Sequence, residues 1–191
     1  MLNLQKTIFI KSCASKKDFL ADKKQVVFLG RSNVGKSSLI NALTNNNKLV
    51  YVSSTPGRTK LISYFAIDDK YYLVDAPGYG YFKDGSLDFE NMMLEYFSLS
   101  NKVIKRIYIL LDSRREVSNL DIDAVKLIDS YGLSVNFVFT KADKLNQSEK
   151  DKLTKLIKEN FPYDKIFITS SKSKKGLDEL KVDINNALNE K

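Results

Sequence analysis

At 191 residues, 43% hydrophobic and 28% charged, the chain has the size and composition of one globular domain with a sizeable buried core. A lone cysteine, Cys13, excludes an intramolecular disulfide, no run of 18 apolar residues offers a membrane span, and the N-terminus lacks a secretory signal, so a cytoplasmic location is expected. The net charge of +8 admits an anionic partner as readily as a lysine surface that only solvates, and the absence of histidine removes the commonest general base and metal ligand.

Residues 1–24 read as a polar lead-in in which Thr7–Ile10 can form a short strand, and residues 25–191 as one domain without repeat or linker. The apolar run Val26–Leu29 marks a first central strand over 25–29. It leads into Gly30-Arg31-Ser32-Asn33-Val34-Gly35-Lys36-Ser37-Ser38 and a helix over 36–44, closed by Asn45-Asn46-Asn47, residues tolerant of turn conformations. Residues 48–60 show no clean periodicity. Strands over Leu61–Ile67 and Tyr71–Val74 are joined by a tight hairpin at Asp68-Asp69-Lys70, and Asp75-Ala76-Pro77-Gly78-Tyr79-Gly80-Tyr81-Phe82 follows as a loop rich in glycine and tyrosine. Then come a helix over 88–100, a strand Ile104–Leu111, an amphipathic helix over 119–130, a strand Ser134–Phe139, a helix over 147–159, a strand Lys165–Ile168 and a helix over 176–189. This alternation predicts an α/β fold, a mostly parallel six-stranded sheet with one antiparallel hairpin and helices on both faces.

The stretch Gly30–Ser38 is G-x-x-x-x-G-K-S between a buried strand and a helix start, the context that distinguishes a phosphate-binding loop from ordinary turn glycines. Its backbone N–H groups can surround an anion at the positive end of the helix, Lys36 can reach the β- and γ-phosphates, and the Ser37 hydroxyl can ligate Mg²⁺. In doubly wound sheets ligands bind beyond the carboxyl ends of the strands, and the other candidates sit at such ends. Asp75-Ala76-Pro77-Gly78 offers a carboxylate for the Mg²⁺ shell, acting through water, and a Gly78 N–H for the γ-phosphate. Thr55-Pro56-Gly57-Arg58-Thr59 offers a second hydroxyl ligand, from Thr55 or Thr59, or simply a turn at Pro56-Gly57. Thr140-Lys141-Ala142-Asp143 presents an aspartate that can accept from the guanine N1–H and exocyclic amine, donors that adenine does not pair, with the Lys141 stem over the base. Ser170-Ser171-Lys172 can place backbone N–H groups on the guanine O6.

With these elements in order the chain resembles a Ras-like small GTPase. More narrowly, Gly30–Asn41, Thr55–Thr59, Asp75–Tyr81 and Thr140–Lys144 closely resemble the EngB (YihA/YsxC) family of bacterial GTPases, from about residue 6 to the end. The resemblance implies GTP hydrolysis, Mg²⁺ held by Ser37 and Thr59, a role in large ribosomal subunit assembly, and a need for the protein in normal cell division and septation. The nucleotide-binding set it implies is Gly30, Arg31, Ser32, Asn33, Val34, Gly35, Lys36, Ser37 and Ser38. To these it adds Gly57, Arg58, Thr59, Lys60 and Leu61, then Asp75, Ala76, Pro77 and Gly78, then Thr140, Lys141, Ala142 and Asp143, then Thr169, Ser170 and Ser171. One departure is Gln25, where the family pattern leads one to expect an acid.

Ras-like enzymes carry a water-orienting glutamine directly after the D-x-x-G glycine; here that residue is Tyr79, so slow intrinsic turnover is expected, with Lys36, Thr59 and Gly78 as the catalytic set. Asn33 can coordinate a potassium ion beside the β- and γ-phosphates, as in potassium-activated relatives, or only brace its own loop; Arg58 is the lesser candidate, as a finger in cis. The expected partners are GTP and GDP and the large ribosomal subunit or its RNA, met by a monomer with switch loops near 50–60 and 76–88. The same loops could instead serve a protein-interaction switch at the division site. Tyr79, Tyr81 and Phe82 could stack on RNA or pack beneath their loop.

Overall fold

The computed structural model describes residues 2–51, 61–79, 87–160 and 165–190. Among these, β1 (Ile8–Cys13), β2 (Gln25–Gly30), β3 (Ile62–Ile67), β4 (Tyr71–Asp75), β5 (Ile104–Asp112), β6 (Val135–Thr140) and β7 (Lys165–Ile168) form one sheet in the order β1-β3-β4-β2-β5-β6-β7. The helices are α1 (Lys36–Thr44), α2 (Leu87–Ser100), α3 (Asn119–Ser130), α4 (Gln147–Asn160) and α5 (Leu177–Asn189). β4, β2, β5, β6 and β7 run parallel, and β3 lies antiparallel to β4. The six strands expected are all present. The lead-in strand adds a seventh, pairing antiparallel with β3 from Ile8 opposite Ala66 to Cys13 opposite Ile62.

β2 shows why the central strands read as apolar runs. Val26 and Phe28 pack into the cluster of Leu39, Ile40 and Leu43 on α1 and Leu180 and Ile184 on α5. Val27 and Leu29 pack into the opposite cluster with Tyr96 and Phe97 on α2 and Val125 and Ile128 on α3. A strand covered on both faces has no polar position to alternate with. Each such side chain contributes about 1.5–3 kcal/mol of burial.

The hairpin between β3 and β4 turns at Asp68 and Asp69, both left-handed (φ 49° and 54°), with the Lys70 N–H donating to the Ile67 carbonyl at 3.0 Å. That is a type I′ turn, whose twist matches the flanking strands and whose conformation aspartate tolerates. Asn45, also left-handed, closes α1 as its type suggests. Gln25 is fully buried; its amide donates to the Leu20 carbonyl at 3.0 Å and accepts from the Tyr96 hydroxyl at 2.6 Å. An acid there could not donate to Leu20 and would bury a charge, so the neutral amide suits this environment. The parallel strands bring Gly30, Asp75, Asp112, Thr140 and Ile168 to the same edge of the sheet.

Candidate nucleotide-binding site

The phosphate loop leaves β2 at Gly30 and enters α1 through Gly35, whose φ of 102° is a conformation that a side chain would strain. Lys36 opens the helix and is buried, and its ammonium donates to the Asp75 carboxylate and, at 2.6 Å, to the Ala76 carbonyl. The loop after β4 therefore lies directly against the phosphate loop. Tyr79 forms a parallel bridge with Arg31, its N–H donates to the Gly30 carbonyl at 3.2 Å, and a Cβ on Gly78 would stand 2.9 Å from the Ser32 nitrogen. Only glycine permits that approach.

Two contacts weld the loop Thr140–Asp143, the expected base-reading loop, to the same element. The Thr140 hydroxyl donates to the Val34 carbonyl at 2.5 Å, and the Lys141 ammonium donates to the Asn33 carbonyl at 2.9 Å. Asp143 projects from the short turn that follows and accepts from the Ser170 hydroxyl at 2.7 Å, a hydrogen bond that holds its carboxyl below the usual range and thus ionised. A cleft of about 510 Å³ opens here, lined among others by Gly35, Ser38, Thr140, Lys141 and Asp143, and reaching Ser171 and Lys172. The residues around it can cradle a polyanion, cover a flat base with an aliphatic stem, and pair a carboxylate with two donors on its edge.

The sequence expectations divide against this geometry. Phosphate loop, Asp75–Gly78, Thr140–Asp143 and Ser170–Ser171 meet at one end of the sheet. Ser170 differs in detail: its N–H donates to the Lys175 carbonyl at 3.0 Å, so its contribution is the hydroxyl on Asp143. Thr169 is fully buried, and both its N–H (2.7 Å) and its hydroxyl (2.9 Å) donate to the Phe139 carbonyl, making it a strut between β6 and β7. Leu61 is exposed at the entry to β3. Thr55, Gly57, Arg58, Thr59 and Lys60, with Gly80, Tyr81 and Phe82, lie outside the described residues.

Tyr79 is buried and donates its hydroxyl to Asp121 on α3 at 2.7 Å, so packing rather than stacking is its role. Burial first, and the Asp121 carboxylate second, push the phenol well above its ordinary pKa, which keeps it a donor. Asp121 also accepts from the backbone N–H and hydroxyl of Ser118, capping α3. Tyr79→Phe is expected to cost about 1.5–3 kcal/mol, the range for a hydrogen bond to a charged group, read as a lowered thermal midpoint. An unchanged midpoint would show the contact to be dispensable.

Two residues in or beside the cleft were not anticipated. Asp112 ends β5, and Arg114 grips it with Nε and Nη2 at 2.9 and 2.7 Å. The rule that strand ends carry the site was sufficient to nominate Asp112, but no familiar motif surrounds it.

For magnesium, the described donors at this corner are the half-buried Ser37 hydroxyl and the Asp75 carboxylate, hard oxygen ligands of the type Mg²⁺ takes while keeping several waters. Among the described residues no helix is long and apolar enough to cross a membrane.

Comparison with known proteins places these features in context. The profile of a family described as "50S ribosome-binding GTPase" matches residues 25–160. A "Probable GTP-binding protein EngB" of Clostridium acetobutylicum is 44% identical over 178 residues, covering 90% of this chain and 89% of that protein. One of Mycoplasma capricolum subsp. capricolum is 45% identical over 175 residues, 88% of this chain and 89% of that protein. The crystal structure of a probable GTP-binding protein engB superposes with a TM-score of 0.69 at 22% identity, covering 87% of this chain and all of that one. Era, crystallised with MgGDPNP and nucleotides 1506–1542 of 16S ribosomal RNA, superposes at 0.70 with 23% identity, covering 88% of this chain and 57% of Era.

Proposed function

The chain belongs to the EngB family of GTP-binding proteins and is a GTPase, and from that premise we propose that it is a slow, GTP-gated switch in large ribosomal subunit assembly, required for normal cell division and septation. The observation that carries the reading is the direct hydrogen bonding of the base-reading loop and the loop after β4 to one phosphate loop, through Lys141, Thr140, Lys36 and Tyr79. A γ-phosphate entering there would take the Lys36 ammonium from Asp75 and the Ala76 carbonyl. It would also meet the Gly78 N–H, reordering the loop that begins at Asp75.

Ser37 and Thr59 would hold Mg²⁺, with Asp75 in its shell through water, and Mg²⁺ bound there neutralises charge developing on the transferred phosphoryl. Slow turnover is expected because Tyr79, standing where related enzymes carry glutamine, has its hydroxyl committed to Asp121 rather than available to a water. Asn33, at the exposed rim of the phosphate loop, would coordinate potassium to complete the charge balance. Single-turnover hydrolysis in K⁺ is expected to exceed that in Na⁺ by about tenfold or more, on the scale of one added electrostatic stabiliser. Equal rates, with Asn33→Ala harmless, would remove potassium from the mechanism.

A ribosomal partner is supported by the family's description, by the net charge of +8, and by the fold shared with an RNA-bound Era. Co-sedimentation with large ribosomal subunits tests it. Binding is expected with GTP, weaker with GDP, and falling steeply between 50 and 200 mM salt, roughly as phosphate contacts dictate. Absence of binding in every nucleotide state would favour the protein-interaction switch instead.

A further inference from the structure

Two residues at the site hold left-handed backbones although neither is glycine: Asn33 (φ 62°) in the phosphate loop and Lys141 (φ 59°) in the base-reading loop. Such conformations are disfavoured for side chains with a Cβ, and they persist where the surroundings over-determine them. One ammonium spans both. Lys141 Nζ donates to the Asn33 carbonyl at 2.9 Å and to Asp112 Oδ2 at 2.8 Å, joining segments 108 and 29 residues away in sequence. The aliphatic stem between these ends runs along the phosphate loop, its Cε 3.5 Å from where a Cβ on Gly35 would lie.

We propose that Asp112 is a positioning residue for guanine-nucleotide recognition: its carboxylate pins the Lys141 ammonium against the Asn33 carbonyl, and so holds the Lys141 stem as a preformed wall for the base.

The geometry suits this task. Asp112 is 8% exposed, and its two oxygens accept four hydrogen bonds: Oδ1 from the Arg114 N–H (3.1 Å) and Nε (2.9 Å), Oδ2 from Arg114 Nη2 (2.7 Å) and Lys141 Nζ. Arg114 therefore fixes the carboxylate in a bidentate fork, with Oδ2 held where it also accepts from Lys141. Burial alone would raise the Asp112 carboxyl, but the hydrogen bonds from Arg114 and Lys141 outweigh it and hold the group well below the usual carboxylate range. Asp112 thus keeps its charge at every physiological pH. Without it Lys141, whose side chain is one-third exposed, keeps a single neutral acceptor and four rotatable bonds, and the entropy of ordering them falls on nucleotide binding. An ion pair that served stability alone would leave nucleotide affinity untouched.

The inference rests on guanine nucleotide occupying this cleft and is independent of any ribosomal partner. The test is GDP titration of the wild type, Asp112→Asn, Asp112→Ala, Lys141→Ala and the Asp112→Ala/Lys141→Ala double variant, with GTP steady-state kinetics alongside. Asp112→Ala is expected to weaken GDP binding about tenfold, the scale of one charge-assisted contact. Asp112→Asn, isosteric but with one acceptor where two are used, should lie between it and wild type. KM for GTP should rise in parallel while kcat holds, since Asp112 meets no phosphate. In the Lys141→Ala background, removing Asp112 should cost nothing further. Wild-type GDP affinity in Asp112→Asn and Asp112→Ala would overturn the proposal, as would losses that multiply in the double variant. Failure of the wild type itself to bind GDP would instead refute the site.

Discussion

Lys36→Ala is expected to abolish measurable GTP turnover and to destabilise the nucleotide-free protein, two effects with separate causes. The first is the loss of the only ammonium in the described phosphate loop, worth on the order of 10²–10³ in rate by comparison with removal of one preorganised transition-state donor. The second comes from Asp75, 2% exposed, which Lys36 neutralises in the absence of nucleotide. Removing one partner of a buried pair costs about 3–5 kcal/mol, because the remaining charge stays desolvated, whereas removing both can be nearly neutral. Lys36→Ala/Asp75→Ala should therefore recover most of the thermal stability and none of the hydrolysis. Phosphate-release assays and thermal melts on the two variants check this. A double variant no more stable than Lys36→Ala would show that the pair is not what the mutation disturbs.

Asp143→Asn should invert base preference from guanine to xanthine. On the proposed function the carboxylate would accept from two donors on the guanine edge, and losing one acceptor would leave a donor unmatched. Sites built to pair a polar edge reject the wrong one by about 10⁴–10⁵. The local structure also favours a clean switch. The Ser170 hydroxyl donates to Asp143 Oδ1 and accepts from the Ser173 N–H at 3.1 Å, so its proton is directed at residue 143. An asparagine there would turn its carbonyl toward Ser170 and its amide toward the base, where xanthine offers a carbonyl in place of the guanine amine. Competition between GDP and xanthosine diphosphate reads the outcome; a variant that still prefers GDP would mean that Asp143 does not read the base.

The local features of this protein were legible in its chain, because each depends on residues close together. G-x-x-x-x-G-K-S between strand and helix, the consecutive aspartates at the β3–β4 turn, the asparagines closing α1 and the apolar runs of the central strands are all set by backbone sterics and by burial on two faces. Membership of a GTPase family followed from the order of such features. Tertiary structure alone decided what the side chains between them do. Exposed Ile8, Phe9 and Ile10 gave no periodic sign that β1 would extend the sheet, since this edge strand enters the core only at Cys13 and carries no buried alternation. Tyr79 had two open roles until its hydroxyl met Asp121, 42 residues away. Gln25 departed from expectation until Leu20 and Tyr96 showed that a neutral donor and acceptor belongs there. Asp112 carried no motif at all. Its partner Lys141 lies 29 residues on, and the Asn33 carbonyl that Lys141 also reaches lies 108 residues before Lys141, so only parallel pairing of β5 between β2 and β6 brings the three together. Sequence spacing encodes which backbone will bind a phosphate; the register of the sheet determines which charges hold that backbone still.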